Sequence, residues 1–160
     1  MNRINKDTLL QVEEFHKLFE HPILESPKIP SEERCNLRYN LLHEEVEEFK
    51  QGLLNKDIIE AADAICDIMY VLNGAILELG LKDIFYELFA EVQRSNMSKA
   101  CKTTKEAHET MKYYEDKDGT KSYYSEKDGL YLVYREGDNK TLKSINYSPV
   151  DLKSIIEKHK

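Results

Sequence analysis

Leu9, Val12, His16 and Phe19 follow one another at intervals of three, four and three, which predicts a first helix over Lys6 to Glu20. Pro22, Pro27 and Pro30 then make an ordered turn or extended linker. Ser31 is a candidate N-cap, and Glu32 and Glu33 favour the positive start of a second helix that runs to about Leu53, with Gly52 and Asn55 marking its end. A third helix is expected over Asp57 to Leu79. Its middle, Ala61 to Leu77, is apolar nearly all round, the pattern of a central helix buried on every side, and Gly80 is a natural C-cap. A fourth helix begins near Lys82 or Asp83, where Phe85, Leu88, Phe89 and Val92 form an i, i+3, i+4, i+7 stripe.

After Met97 the pattern changes. Tyr113-Tyr114-Glu115-Asp116-Lys117-Asp118-Gly119 is echoed by Tyr123-Tyr124-Ser125-Glu126-Lys127-Asp128-Gly129, and both copies end in Asp-Gly, a hairpin signal. With Gly137-Asp138-Asn139 as a third turn, Lys112 to Ile145 reads as a small antiparallel β-meander. Ser148-Pro149-Val150-Asp151 reads as a helix start, with Ser148 as cap. The expected architecture is all-α: an antiparallel four-helix bundle over residues 1–105, and an extension over residues 106–160 holding the meander and a short C-terminal helix, packed on the same domain.

Composition narrows the partners. The formal net charge is -7, a poor match to nucleic acid or an anionic membrane, which need a basic surface. No apolar run approaches the roughly 20 residues of a membrane span, and Met1 to Asp7 carries no apolar signal stretch. Cys35, Cys66 and Cys101 form no CxxC pair and no Cys/His cluster. They fit a reducing, cytoplasmic location, with Cys66 filling the core.

The acidic residues carry the chemistry. On a wheel of the second helix, Leu37, Leu41, Leu42, Val46, Phe49 and Leu53 make one apolar arc. Glu48 falls between Leu37 and Leu41, Glu45 between Leu41 and Phe49, and Glu44 at the edge, whereas His43 and Glu47 point away. On the third helix, Glu60, Asp63 and Asp67 share a face at i, i+3 and i+7. Acids in such positions are expected inside, where each loses several kcal/mol of hydration and repels its neighbours. Protonation, a basic partner or a divalent cation must compensate. Oxygen ligands without His or Cys nearby favour Mg²⁺ or Mn²⁺ over Zn²⁺. A di-iron bundle needs two Glu-x-x-His motifs, and the chain offers one, Glu13-x-x-His16.

At these residues the chain resembles the all-α nucleoside triphosphate pyrophosphohydrolase superfamily, which includes MazG, the dimeric dUTPases and phosphoribosyl-ATP pyrophosphohydrolase. The signature EExxE, a gap, then ExxD is matched by Glu44-Glu45-Val46-Glu47-Glu48 and Glu60-Ala61-Ala62-Asp63. Val12 to His16, Leu37 to Glu45, Ala62 to Gly74, Ser95-Asn96-Met97-Ser98-Lys99 and Asn146 to Leu152 resemble the small MazG-like, phosphoribosyl-ATP pyrophosphohydrolase-like branch. The second motif has two registers. Glu60 and Asp63 satisfy ExxD literally, whereas aligning on the following Asp-x-x-Tyr-Val makes Asp67 the motif aspartate and puts Ala64 in the place of a Glu.

The resemblance implies magnesium-dependent hydrolysis of a nucleoside triphosphate to the monophosphate and pyrophosphate. Glu45, Glu48, Asp63 and Asp67 would hold the metal, and Glu44 or Glu60 would orient or deprotonate the attacking water. Lys99, Arg38 and Arg94 are candidates for the phosphates. Asn73 and Asn96 are candidates for the base or sugar, as are His16 and Phe15. Phosphoribosyl-ATP or dUTP hydrolysis is the alternative within enzymes; a nucleotide- or metal-binding regulator is the alternative outside them. Apolar second and third helices also predict a homodimer or a dimer of dimers.

Overall fold

The computed structural model describes residues 7–159. The expected helix start at Lys6 and the polar stretch before Asp7 lie outside the described residues. The chain folds as two compact units, one running to Phe85 and taking in the chain from Ile156, the other comprising Tyr86–Ile155.

The first unit holds α1 (Thr8–Leu18), α2 (Glu32–Asn55) and α3 (Ile58–Glu78). Each starts on a side-chain cap: Asp7 accepts from the Leu9 amide, Ser31 from Arg34, and Asp57 from Ile59 and Glu60. Between α2 and α3 the chain reverses through Lys56, in the left-handed region at φ 56°, so the two helices run antiparallel. Gly52 sets their approach, because a Cβ there would lie 2.7 Å from the Ala61 amide nitrogen. Leu9 and Val12 of α1 pack on Ile76 and Leu77 of α3, with Ile23, Leu81 and Phe85 around them. The proline-containing segment is an extended strap, tied by Leu24 N–H to Leu77 O and Lys28 N–H to Leu79 O, each at 3.0 Å. It passes so close to the end of α3 that a Cβ on Gly80 (φ +65°) would meet the Ser26 carbonyl oxygen at 2.0 Å.

A short 3₁₀ turn, Lys82–Ile84, leads into α4 (Phe85–Met97). The second unit continues with α5 (Thr104–Asp118), β1 (Ser122–Lys127) and β2 (Leu130–Arg135), and α6 is Leu152–Lys158. The all-α class with a small antiparallel sheet and a short terminal helix is as expected, but the meander is not. The first Tyr-Tyr copy is helical. Thr103 caps α5 by accepting from the Glu106 amide, and Glu106 reaches back to the Lys102 amide at 2.9 Å, a variant of the capping box. The Asp-Gly of that copy ends a helix, with Gly119 as a left-handed C-cap. Only the second Asp-Gly closes a hairpin, with Asp128 at φ 52° and Gly129 at φ 75°, as a type I′ turn requires. The third expected strand is reduced to an isolated bridge, Tyr134 to Thr141. Cys101, Ala107, Val133 and Leu142 form this unit's core, with Met111, Tyr114, Tyr124 and Tyr131 against it.

Ser148 does not cap the last helix. Asp151 accepts from the Ser154 amide at the start of α6, while Ser148 donates its N–H to Ser98 Oγ at 2.9 Å and accepts from Arg94 at 2.8 Å. Cys66 does not fill the core either: it is exposed, Cys35 is half-buried and Cys101 buried, and all three are free. Among the described residues no single helix is long and apolar enough to cross a membrane.

Candidate functional site

Five carboxylates gather on α2 and α3. Glu45 is half-buried, and its Oε2 is buried without a hydrogen-bond partner. Burial first, and then the charges of Asp67, Glu48, Glu44 and Asp63, hold its carboxyl above the ordinary carboxylate range. Asp67, across on α3, acts on Glu45 more strongly than Glu48, one turn along α2 itself. Acids of both helices therefore act on Glu45. Glu60 is not among the groups that perturb Glu45. It lies in the first turn of α3 and accepts from Asn55 Nδ2 at 3.4 Å.

The expected burial of this acidic face is corrected. Glu44, Glu48, Glu60, Asp63 and Asp67 are exposed, because α1 packs on the other end of α3, at Ile76 and Leu77. Among the described residues no group of three or more His, Cys, Asp or Glu side chains is arranged to hold a metal ion. The donors still suit one: all are carboxylate oxygens, the chemistry of Mg²⁺ or Mn²⁺, and the central one has a buried oxygen lacking any partner.

The apolar face beside the acids is uncovered too. Leu53, Leu54, Val46, Ile65, Met69 and Leu72 are exposed, and Ile58 and Ile59 reach 79% and 80%. The expectation that α3 is buried on every side therefore fails within a single chain. Along it only Ala61, Ala64, Asn73, Gly74, Ile76, Leu77 and Glu78 are buried.

A second charged cluster occupies the opposite end of the same helix pair. Glu78, 1% exposed, accepts from Arg34 Nε at 3.0 Å and Arg38 Nε at 2.9 Å, and from the Nη2 groups of both arginines. Burial pushes the Glu78 carboxyl up, but the hydrogen bonds from Arg34 and Arg38 outweigh it and leave it below the usual range. Arg38 also donates to His16 Nε2 at 3.1 Å, which leaves Nδ1–H to donate to the Pro22 carbonyl at 3.0 Å. Burial, above all, keeps the His16 pKa below that of a free imidazole. Gly74 makes room, since a Cβ there would lie 2.5 Å from Arg38 Nη1. Arg38 and His16 thus stand in a structural ion-pair network, about two helical turns from Glu45. The sequence reading did not single out Arg34 or Glu78; the available signal was an Arg-x-x-x-Arg spacing on α2 together with an acid at the end of the apolar α3.

Asn73 is buried, 5% exposed, and its Nδ2 has no partner. It lines a cleft of about 360 Å³ between α1 and α3, with Thr8, Gln11, Val12, Ile65, Met69 and Tyr70. Phe15 packs edge-on against Tyr70, with ring centroids 5.6 Å apart. Asn96 and Lys99 belong to the second unit, where Lys99 Nζ donates to Asn96 Oδ1 at 2.8 Å. Arg94 is held by Glu91 and the Ser148–Pro149 segment.

Residues 12–96 match a sequence model of the family described as phosphoribosyl-ATP pyrophosphohydrolase. No curated protein matches the chain.

Proposed function

The chain belongs to the phosphoribosyl-ATP pyrophosphohydrolase family, in the MazG-like superfamily, and from that premise we propose that it hydrolyses a nucleoside triphosphate to the monophosphate and pyrophosphate. Water attacks the anhydride linkage between the α- and β-phosphates, and one molecule of water is consumed for each pyrophosphate released. Glu45, Glu48, Asp63 and Asp67 would hold Mg²⁺, for which Mn²⁺ could substitute. When bound, such an ion neutralises phosphate charge. Glu44 takes the proton of the attacking water, with Glu60 as the other candidate base. The observation that carries this reading is the buried, partnerless oxygen of Glu45, set among four further carboxylates from two helices. Left metal-free, that arrangement only costs stability; occupied by a cation, it becomes favourable.

Phosphoribosyl-ATP is the second reading of the substrate, favoured by the description of the matching family. The same chemistry serves both. Lys99 and Asn96 remain candidates for substrate contact. The uncovered apolar residues of α2 and α3 support a homodimer, or a dimer of dimers, that would close over the acids. Free cysteines and an acidic surface suit the cytoplasm.

The test is pyrophosphate release from a panel of ribo- and deoxyribonucleoside triphosphates and phosphoribosyl-ATP, with and without Mg²⁺. Turnover of at least one substrate that needs the metal is the expected result. No turnover of any, together with nucleotide binding, would replace the enzyme by a regulator.

A further inference from the structure

The α1–α3 cleft is not needed to hold a metal or to activate water, yet it has the makings of a ligand site. Its volume, about 360 Å³, falls in the range of small-molecule pockets, roughly 300–1,000 Å³. Its walls are largely apolar, from Val12, Ile65 and Met69, with polar groups at Thr8, Gln11 and Tyr70. Such a lining takes a flat, mostly apolar ligand and fixes it with a few directed hydrogen bonds. Among these residues Asn73 stands apart. Its side chain is 5% exposed and its Nδ2 donor has no acceptor. A buried amide in that state costs on the order of 1–3 kcal/mol, a cost that a ligand acceptor would remove.

Position relates the cleft to the carboxylates. Tyr70 lines the cleft and stands at i+3 from Asp67 and i+7 from Asp63, so it borders the acidic stripe of the same helix. Asn73 lies six residues beyond Asp67, about 9 Å along the axis and about 120° around it, with Tyr70 between the two, so a nucleoside would pass over Tyr70 to put its base in the cleft and its phosphates toward the acids.

We propose that Asn73 is a specificity-determining residue: its amide N–H reads an acceptor on the edge of the substrate's nucleobase, held in the α1–α3 cleft between Val12, Met69 and Tyr70. This rests on a nucleotide being the substrate, but it does not depend on which anhydride is cut or on the metal. An amide with one free donor discriminates between bases by which edge atom it meets, because the wrong base leaves that donor unpaired again.

The experiment uses free nucleosides, which carry no anhydride and need no magnesium. The side-chain amide signals of Asn73 in ¹⁵N-labelled full-length protein, assigned by their absence from Asn73→Ala, are followed while uridine, thymidine, cytidine, guanosine and adenosine are added in turn. The expected result is a saturable shift with at least one nucleoside and unequal affinities across the five. In Asn73→Ala, affinity for the preferred nucleoside, read by calorimetry, should fall about tenfold, the worth of one hydrogen bond. The wild-type titration stands alone should that variant misfold. Absence of a saturable shift with every nucleoside overturns the assignment. So do Asn73 signals that respond to protein dilution instead, because a second copy of the chain would then fill the cleft. A failed pyrophosphate assay with a positive titration would remove the hydrolase reading and leave the base site.

Discussion

The two ends of the α2–α3 pair carry two charged clusters built on opposite terms. At one end a single buried carboxylate, Glu78, is matched by Arg34 and Arg38, and the arginine fork is completed by His16. At the other, burial and the charges of four more carboxylates raise the pKa of Glu45. The first cluster is complete within the chain and fixes the packing of the strap, α1 and the helix pair. The second has no such match among its acids, and under the proposed function a cation would supply it. Charge between packed helices can therefore have two meanings: a side chain compensates the first cluster, and an ion would compensate the second under the proposed function.

The sharpest way to break the contrast is to unbalance the complete cluster. Glu78→Ala leaves two arginines facing each other without a counter-charge. With both partly solvated, it should cost about 3 kcal/mol, seen as a lower urea midpoint. Glu45→Gln acts oppositely. It should lower pyrophosphate release about 100-fold or more, by weakening the cation site, while leaving metal-free stability equal or higher; a matched loss of both would make Glu45 merely structural. Gly52→Ala tests the convergence itself. Its Cβ, 2.7 Å from the Ala61 nitrogen, should prise α2 from α3 at a cost of about 1–3 kcal/mol, and activity should fall with the cross-helix approach.

The smallest effect is the most diagnostic, because the two carboxylates respond to pH with opposite sign. Glu78 has a lowered folded pKa, so its contribution is complete above the unfolded carboxylate value and is lost as pH falls through the folded one. Glu45 has a raised folded pKa. Its penalty is absent below the unfolded value and grows as pH rises through the folded one. Urea midpoints collected from pH 4 upward on Glu45→Gln and the parent should converge at the acid end and separate toward neutrality. Saturating Mg²⁺ should erase the separation by stabilising the parent alone.

How much of this the sequence disclosed follows from how local each signal is. Ser31, Asp57 and Gly80 announce their helix ends through short-range hydrogen bonds and φ values, so the starts of α2 and α3 and the end of α3 were legible to within a residue or two, whereas Gly52, expected near the end of α2, lies inside it. The repeated heptad was not. Asp-Gly favours positive φ, and both a helix C-cap and a type I′ turn use it. What decided between them was upstream: the Thr103–Glu106 cap and the buried Ala107 and Thr110, which the meander reading passed over. The acids were placed on the correct helices, but their burial was inferred from an apolar arc that a single chain leaves partly uncovered. Glu78 escaped notice because its partners lie 40 and 44 residues away, beyond any periodicity within one helix.

The clasp between α4 and the tail imposes an order on the birth of the molecule. Ser95 and Ser98 find their hydroxyl and carbonyl partners in Tyr147 and Ser148, 50 or more residues downstream. At ribosomal speeds of about 5–20 residues per second, some 3–10 s separate the two halves of that contact. The end of α4 therefore emerges from the ribosome unfastened and waits for a segment not yet translated, while α1 and α3 already have one another to pack against.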